Sequence, residues 1–241
     1  MRSYTIWSPE YSNFSGGIRA LHVLNQELNK RNVLSKLHYQ SPHNPEDIVL
    51  YPEIITDNPL GSQYVSRWLL AEGQVQDLSF QWVNGLGADN NLTVNIIDLD
   101  IFYPRTNSKK GVGYWIGKGR KTCDLPDDAV LIHKFEPQDR LALAEQLASF
   151  EYIVSFDSFT AINFEALLVG TPVIIANQTG KWDEDNLKKT DWPLFGLTWE
   201  CEALNTAKRE VHNQFEAYKL LCNKFSKSID EFIEITQKNY Q

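Results

Sequence analysis

Phe156-Asp157-Ser158-Phe159-Thr160-Ala161-Ile162-Asn163-Phe164-Glu165-Ala166-Leu167-Leu168-Val169-Gly170-Thr171-Pro172-Val173 is the stretch whose reading decides the fold. Residues 152–156 lead into it as an apolar run of strand length, broken by the polar pair Asp157-Ser158. Residues 159–169 then carry a helical pattern, which Gly170 and Pro172 stop in the order expected at a helix C-terminus. Residues 173–176 are apolar again. A strand, a helix and a second strand in so short a span make a parallel crossover, because a parallel pair needs such a connection and an antiparallel pair does not.

The same alternation extends in both directions. On the N-terminal side Tyr4-Thr5-Ile6-Trp7 reads as a strand. Residues 18–30 read as a helix with Ile18, Leu21, Leu24 and Leu28 on one face, and residues 33–39 and 48–52 as strands. Pro59-Leu60-Gly61 breaks the chain before a short helix predicted over 64–71, and residues 92–102 read as extended. A polar, Gly/Pro-flanked run at 104–111 reads as a linker. Beyond it strands are predicted at 113–117 and 130–133, with a helix opened by Pro137 whose Leu141, Ala144, Leu147 and Ala148 face inward. An amphipathic tail runs from about 204 to 235. The expectation is an α/β chain of two small domains, 1–105 and 106–241.

Composition limits what such a chain can do. Its 241 residues carry 23 Lys+Arg against 31 Asp+Glu, a formal net charge of −8. Phosphate neutralisation along nucleic acid needs a basic surface, so general nucleic-acid binding is excluded and any anion site must be local. A hydrophobic content of 42% supports a real core and excludes disorder as the main state. Cys123, Cys201 and Cys222 are odd in number and widely spaced, with no C-x-x-C pair, which suggests neither disulfides nor zinc and fits a reducing compartment. The N-terminus has no apolar leader, and no run approaches the ~20 residues of a membrane span. A cytoplasmic chain is therefore expected, and the sequons at Asn13, Asn91 and Asn177 are chance matches.

Within the opening stretch Ser158 is the N-cap candidate, leaving the amides of Thr160 and Ala161 free for an anion. Ser158, Ile162 and Glu165 fall at i, i+4 and i+7, so Glu165 lies on the same stripe roughly 10 Å further along. A diphosphate at the helix end would bring an attached ribose near that carboxylate, which can accept from both hydroxyls. The plain alternative is a capped helix with a surface Glu. Gly117-Lys118-Gly119-Arg120-Lys121, extended by Lys109 and Lys110, is a basic cluster in an acidic chain. Ser15-Gly16-Gly17-Ile18-Arg19 opens the first helix, where glycines let backbone amides approach a ligand. His22, one turn after Ile18, reads as a structural or substrate-contacting side chain; no partner stands at metal-ligand spacing.

Asp157 and Glu165, separated by seven residues, together with Glu165-Ala166-x-x-x-Gly170-Thr171-Pro172-Val173, resemble the donor-binding signature of GT-B glycosyltransferases of the large family-four type. That family normally has Glu where Asp157 stands. The glycine-rich loop at 15–19 and the basic run at 117–121 follow the family's order. The resemblance implies two Rossmann-like domains facing a cleft, with the C-terminal helix crossing back to brace the first. It implies metal-independent transfer of a sugar from a nucleotide-diphosphate sugar to a carbohydrate or lipid-linked acceptor, as in polysaccharide biosynthesis, in the cytoplasm or peripheral to the inner membrane face. No cofactor beyond the nucleotide-sugar co-substrate is implied. Lys118, Asp157 and Glu165 would be catalytic. Gly17, Lys118, Arg120, Lys121, Ser158, Phe159, Thr160 and Glu165 would bind the donor, and Gly16, Gly17, Arg19 and His22 the acceptor.

Other readings remain. Gly113-x-x-x-Gly117-Lys118-Gly119 has glycine spacing one short of a phosphate loop and no Ser/Thr after the Lys, so a P-loop ATPase is not supported. Gly85-Leu86-Gly87 lacks the third glycine of a dinucleotide fingerprint. Asp98-Leu99-Asp100 after an apolar run resembles the metal-binding Asp-x-Asp of GT-A glycosyltransferases, the main rival. A catalytically inactive, nucleotide-binding GT-B-like module is the alternative from outside enzymology. For a GT-B enzyme, 241 residues is short.

Overall fold

The computed structural model describes residues 1–241 apart from Gln76, Asn107, Lys134, Phe135, Gln138 and Lys181. The chain is α/β and divides into two compact units, Met1–Ile96 with Cys222–Gln241, and Ile97–Leu221. Each unit holds one sheet, and every strand pair in both sheets is parallel. The division falls at 96/97, ahead of the expected 105/106, and the last twenty residues pack with the first unit instead of the second.

The first unit runs β1 (Tyr4–Ile6), α1 (Gly16–Lys30), β2 (Ser35–Leu37), β3 (Ile48–Pro52), β4 (Tyr64–Leu69), β5 (Leu78–Gln81) and β6 (Asn90–Asn91), in sheet order β2-β1-β3-β4-β5-β6. Ser15 caps α1 by accepting from Ile18 N at 3.3 Å. Asn32 ends it in the left-handed region, with φ 58°, a conformation asparagine tolerates. The segment predicted as a helix over 64–71 is instead strand β4. It lies between β3 and β5 with Trp68 and Leu69 fully buried, and a strand covered on both faces loses the period-two alternation that identifies strands in sequence. The run expected to be extended over 92–102 forms no strand, since the two residues of β6 precede it; Asp98 O instead accepts from Phe102 N at 2.8 Å in a turn.

The end of the long helix α6 (Gln214–Asn239) completes this unit. Phe232 is fully buried, with ring centroids 5.4 Å from Tyr4 of β1 and 4.8 Å from Phe80 of β5. The Tyr4 hydroxyl meets Thr236 Oγ1 at 2.6 Å, and Arg2 N donates to Gln237 Oε1 at 2.8 Å. At the amino ends of the strands Asp47 is buried and accepts from Thr5 Oγ1 at 2.7 Å and Ser3 Oγ, with Lys36 Nζ at 3.2 Å. Burial alone would raise its carboxyl pKa, but the hydroxyl donors and the Lys36 charge outweigh burial and hold it below the ordinary value.

The second unit runs β7 (Val112–Trp115), β8 (Val130–Leu131), α2 (Arg140–Ser149), β9 (Tyr152–Ser155), α3 (Ala161–Leu168), β10 (Val173–Ile175), α4 (Glu184–Lys188), β11 (Leu197–Thr198) and α5 (Leu204–Glu210), then the start of α6. Its sheet order is β11-β10-β9-β7-β8. Counted within the unit this is 2-1-3-4-5, a doubly wound order whose switch point lies between the first and third strands. Gly170, at φ 86°, closes α3, with Thr171 N reaching back to Ala166 O at 2.9 Å. Helix α2 begins at Arg140, after Pro137, capped by Asp139 Oδ1 accepting from Leu141 N. That shift in start leaves Leu141 exposed and puts Leu143 in the core instead.

Two outcomes follow. Phe232→Ala should cost about 3–5 kcal/mol, the range for deleting a buried aromatic, measured by urea unfolding. Asp47→Asn should destabilise the chain at neutral pH. Because the folded carboxyl titrates below its unfolded value, the parent's advantage is complete above the ordinary carboxylate range and fades as pH falls through it toward the lowered value. Urea midpoints of parent and variant measured from pH 7 to pH 3 should therefore converge in acid.

Candidate functional site

In an open parallel sheet a ligand sits beyond the carboxyl ends of the strands at the switch point. In the second unit that point lies between β7 and β9, where residues 116–120 and 156–160 emerge side by side. Asp157, only 3% exposed, joins them: Oδ2 accepts from Lys118 N at 3.0 Å, and Oδ1 accepts from Thr179 Oγ1 at 2.9 Å. Thr179 follows β10, so one carboxylate fastens the loops after three neighbouring strands. Thr179 Oγ1 also accepts from Ser158 N at 3.1 Å, and Thr179 N donates to Ser158 Oγ at 3.0 Å. Asn163, fully buried on α3, donates from Nδ2 to Asp157 O at 2.8 Å and Ser158 O at 3.2 Å.

The glycines around Lys118 are required by this packing. Gly117 has φ 55°, and a methyl there would stand 2.4 Å from Asp157 Oδ2; one at Gly119 would stand 1.5 Å from Phe156 O. The loop therefore lies directly on the turn after β9, with Lys118 carried on its outside. Lys118, Arg120 and Lys121 are all exposed, and none forms an ion pair among the described residues. Lys109 does not extend the cluster. It lies before β7 and Lys118 after it, and Lys109 Nζ donates to Gly170 O and Thr171 Oγ1, each at 2.8 Å, at the C-terminal end of α3. Burial, then the charge of Lys208, pushes its pKa down.

Ser158 is not the N-cap of α3. Thr160 holds that position and makes no side-chain capping bond, while the Ser158 hydroxyl is engaged by Thr179. The amides of Thr160, Ala161 and Ile162 make no hydrogen bond among the described residues, leaving donors at the positive end of the helix. Phe159 sits against Trp182, with centroids 4.5 Å apart. Glu165 is fully enclosed instead of lying on the surface, and its Oε1 forms an ion pair with Arg140 Nη2. The Arg140 guanidinium lies 4.7 Å over the Phe102 ring. A carboxylate taken out of water needs such a counter-charge.

In the first unit Gly16 and Gly17 begin α1, and a methyl at either would meet ordinary van der Waals contact at 3.5 Å. Arg19 and His22 were expected to face an acceptor, but both turn inward. Arg19 is 6% exposed and donates to Ile96 O at 3.2 Å, while His22 Nε2 lies 3.0 Å from Pro9 O beside Tyr11. Asp98 and Asp100 of the rival reading form a local turn in which Asp98 Oδ1 accepts from Asp100 N at 2.9 Å. Among the described residues no group of three or more His, Cys, Asp and Glu is placed to hold a metal ion, and no helix is long and apolar enough to cross a membrane.

Sequence reasoning missed Thr179, Asn163 and Arg140. Thr179 was visible only as the end of a chance sequon. Arg140 lies twenty-five residues from Glu165 on another helix, a pairing no local pattern reveals. In comparison with known proteins, no family model matches the chain and no curated protein matches it in sequence.

Gly119→Ala should force the 116–120 loop off the β9 turn and cost about 1–3 kcal/mol, as overpacking does. Thermal unfolding measures the loss, and loss of amide-exchange protection at Lys118 locates it.

Proposed function

We propose that the chain is a pared-down GT-B-type glycosyltransferase, its two domains facing a cleft. It would move a sugar from a nucleotide-diphosphate sugar to a saccharide or lipid-linked acceptor without a metal ion. The observation that carries this reading is the switch point of the second unit, where three exposed cations with no ion pair among the described residues follow β7 and the open amides at the start of α3 follow β9. Lys118 and the amides of Thr160 to Ile162 would stabilise the charge that develops on the departing diphosphate, the largest electrostatic term in such a transfer. Asp157 retains lone pairs beyond the two bonds it accepts and would orient the sugar. Glu165 would hold the ribose with its ion pair to Arg140 kept in place.

The enclosure of Glu165 favours a second reading, a nucleotide-binding module without turnover. In that case the Arg140 pair is purely structural and the ribose contact is never made.

A thermal-shift series with uridine, guanosine, adenosine and thymidine diphosphates separates the possibilities, because a ligand that binds the folded state raises its melting temperature by mass action. One nucleotide should stabilise the chain, and a flat response to all four would end the donor reading. Lys118→Ala should then lower transfer by about 100-fold with an unchanged melting temperature. Glu165→Gln, which keeps the packed shape where alanine would open a hole, should weaken the responsive nucleotide. A nucleotide that binds but is neither hydrolysed nor transferred would favour the inactive module.

A further inference from the structure

We infer that Trp115 and Asp157 form a hydroxyl-binding pair at the end of β7, selecting a sugar hydroxyl through the indole N–H and one carboxylate oxygen. This deepens the donor reading and rests on it for the identity of the sugar. Trp115 is the last residue of β7 and 7% exposed, and its Nε1 is buried with no hydrogen-bond partner among the described residues. An unmet buried donor of this kind is costly, so native structures seldom keep one without a use. The nitrogen faces Asp157: the point a Gly117 Cβ would occupy lies 2.5 Å from Trp115 Nε1 and 2.4 Å from Asp157 Oδ2. Two polar atoms that close to one point can both be reached by a single oxygen at ordinary hydrogen-bond distance.

The chemistry of the pair dictates what that oxygen belongs to. The indole only donates and the carboxylate only accepts. A phosphate oxygen could take the indole proton but would be repelled by Asp157. An ammonium would suit Asp157 but offers the indole nothing. A hydroxyl accepts from Nε1–H and donates to Oδ2, satisfying both. Asp157 Oδ2 already accepts from Lys118 N at 3.0 Å and has a second lone pair to give. Gly117 is exposed and has no side chain, so bare backbone covers the indole nitrogen at this point. Glycine on both sides of Lys118 lets that backbone shift by the width of an oxygen. Anion donors on the α3 side and a hydroxyl pair on the β7 side suit a phosphate ester of a sugar better than a free nucleotide.

The test uses the indole N–H resonances of the intact chain. Seven tryptophans give seven signals, and the one missing in Trp115→Phe is Trp115. The parent is titrated with free hexoses, nucleoside diphosphates and the matching nucleotide-diphosphate hexoses. The expected result is a downfield shift of the Trp115 signal with hexose-bearing compounds and none with nucleoside diphosphates alone. Trp115→Phe, which removes the donor and keeps the buried ring, should melt no lower than the parent. It should bind the nucleotide-diphosphate hexose about tenfold more weakly, the value of one lost hydrogen bond, and the nucleoside diphosphate equally well. Binding of a hexose-bearing compound that leaves the Trp115 signal in place overturns the inference while the donor reading stands. A shift with free hexose in a chain that ignores every nucleotide upholds the pair and removes the donor reading. A signal that no compound moves overturns the inference, a resident water then being the partner.

Discussion

A parallel sheet has to be covered on both faces, because its strands carry apolar side chains on each. In the first unit this is the governing constraint. Among the described residues only α1 serves as a crossover helix there, and the connections from β3 to β4 and β5 to β6 are loops. The end of α6 supplies the missing cover: Phe232 fills the space beside Tyr4 and Phe80, and Thr236 and Gln237 take up the polar groups at the edge. A chain short of crossover helices folds because its last helix returns to a sheet begun more than two hundred residues earlier.

In the second unit the corresponding constraint is the close approach of two loops. Asp157 can fasten the turn after β9 to the loop after β7 only because Gly117 and Gly119 bring backbone where any side chain would collide. That contact decides where Lys118 stands, and with it the arrangement of cations around the switch point. Thr179 then fixes the other carboxylate oxygen and draws in the loop after β10. The site is therefore a product of backbone packing first and side-chain charge second.

The sequence was legible where the cue was local. The run from 152 to 176, with Gly170 as its stop, reads correctly from periodicity and helix-ending residues alone. It was illegible where burial erased the pattern, as in β4, whose Tyr64-Val65-Ser66-Arg67-Trp68-Leu69 has no clean period because both faces are covered. Grouping Lys109 with Lys118 failed because nearness in sequence ignores the strand between them. Arg19 and His22 were placed at an acceptor only through the resemblance of the 15–19 loop, and each closes a bond inside its own unit that no local pattern shows. The roles of Thr179 and Arg140 depend on contacts between distant segments and left no local trace.

The two acids of the signature are held in different states, and that difference bears on how the site could work. Asp157 is constrained by neutral donors, an amide and a hydroxyl, and keeps acceptor capacity. Glu165 is enclosed and faces a full positive charge. Replacing part of that charge by neutral ribose hydroxyls costs far more than adding a hydroxyl to Asp157, since a buried carboxylate depends on its counter-ion. Any ligand that engages Glu165 must therefore keep Arg140 in place and enter beside it. Because Arg140 opens α2 and Glu165 lies on α3, such a ligand would have its affinity coupled to the docking of those two helices. The part of the site around Lys118 and Asp157 carries no such coupling, so a ligand that spans both parts meets no helix-docking cost until it reaches Glu165.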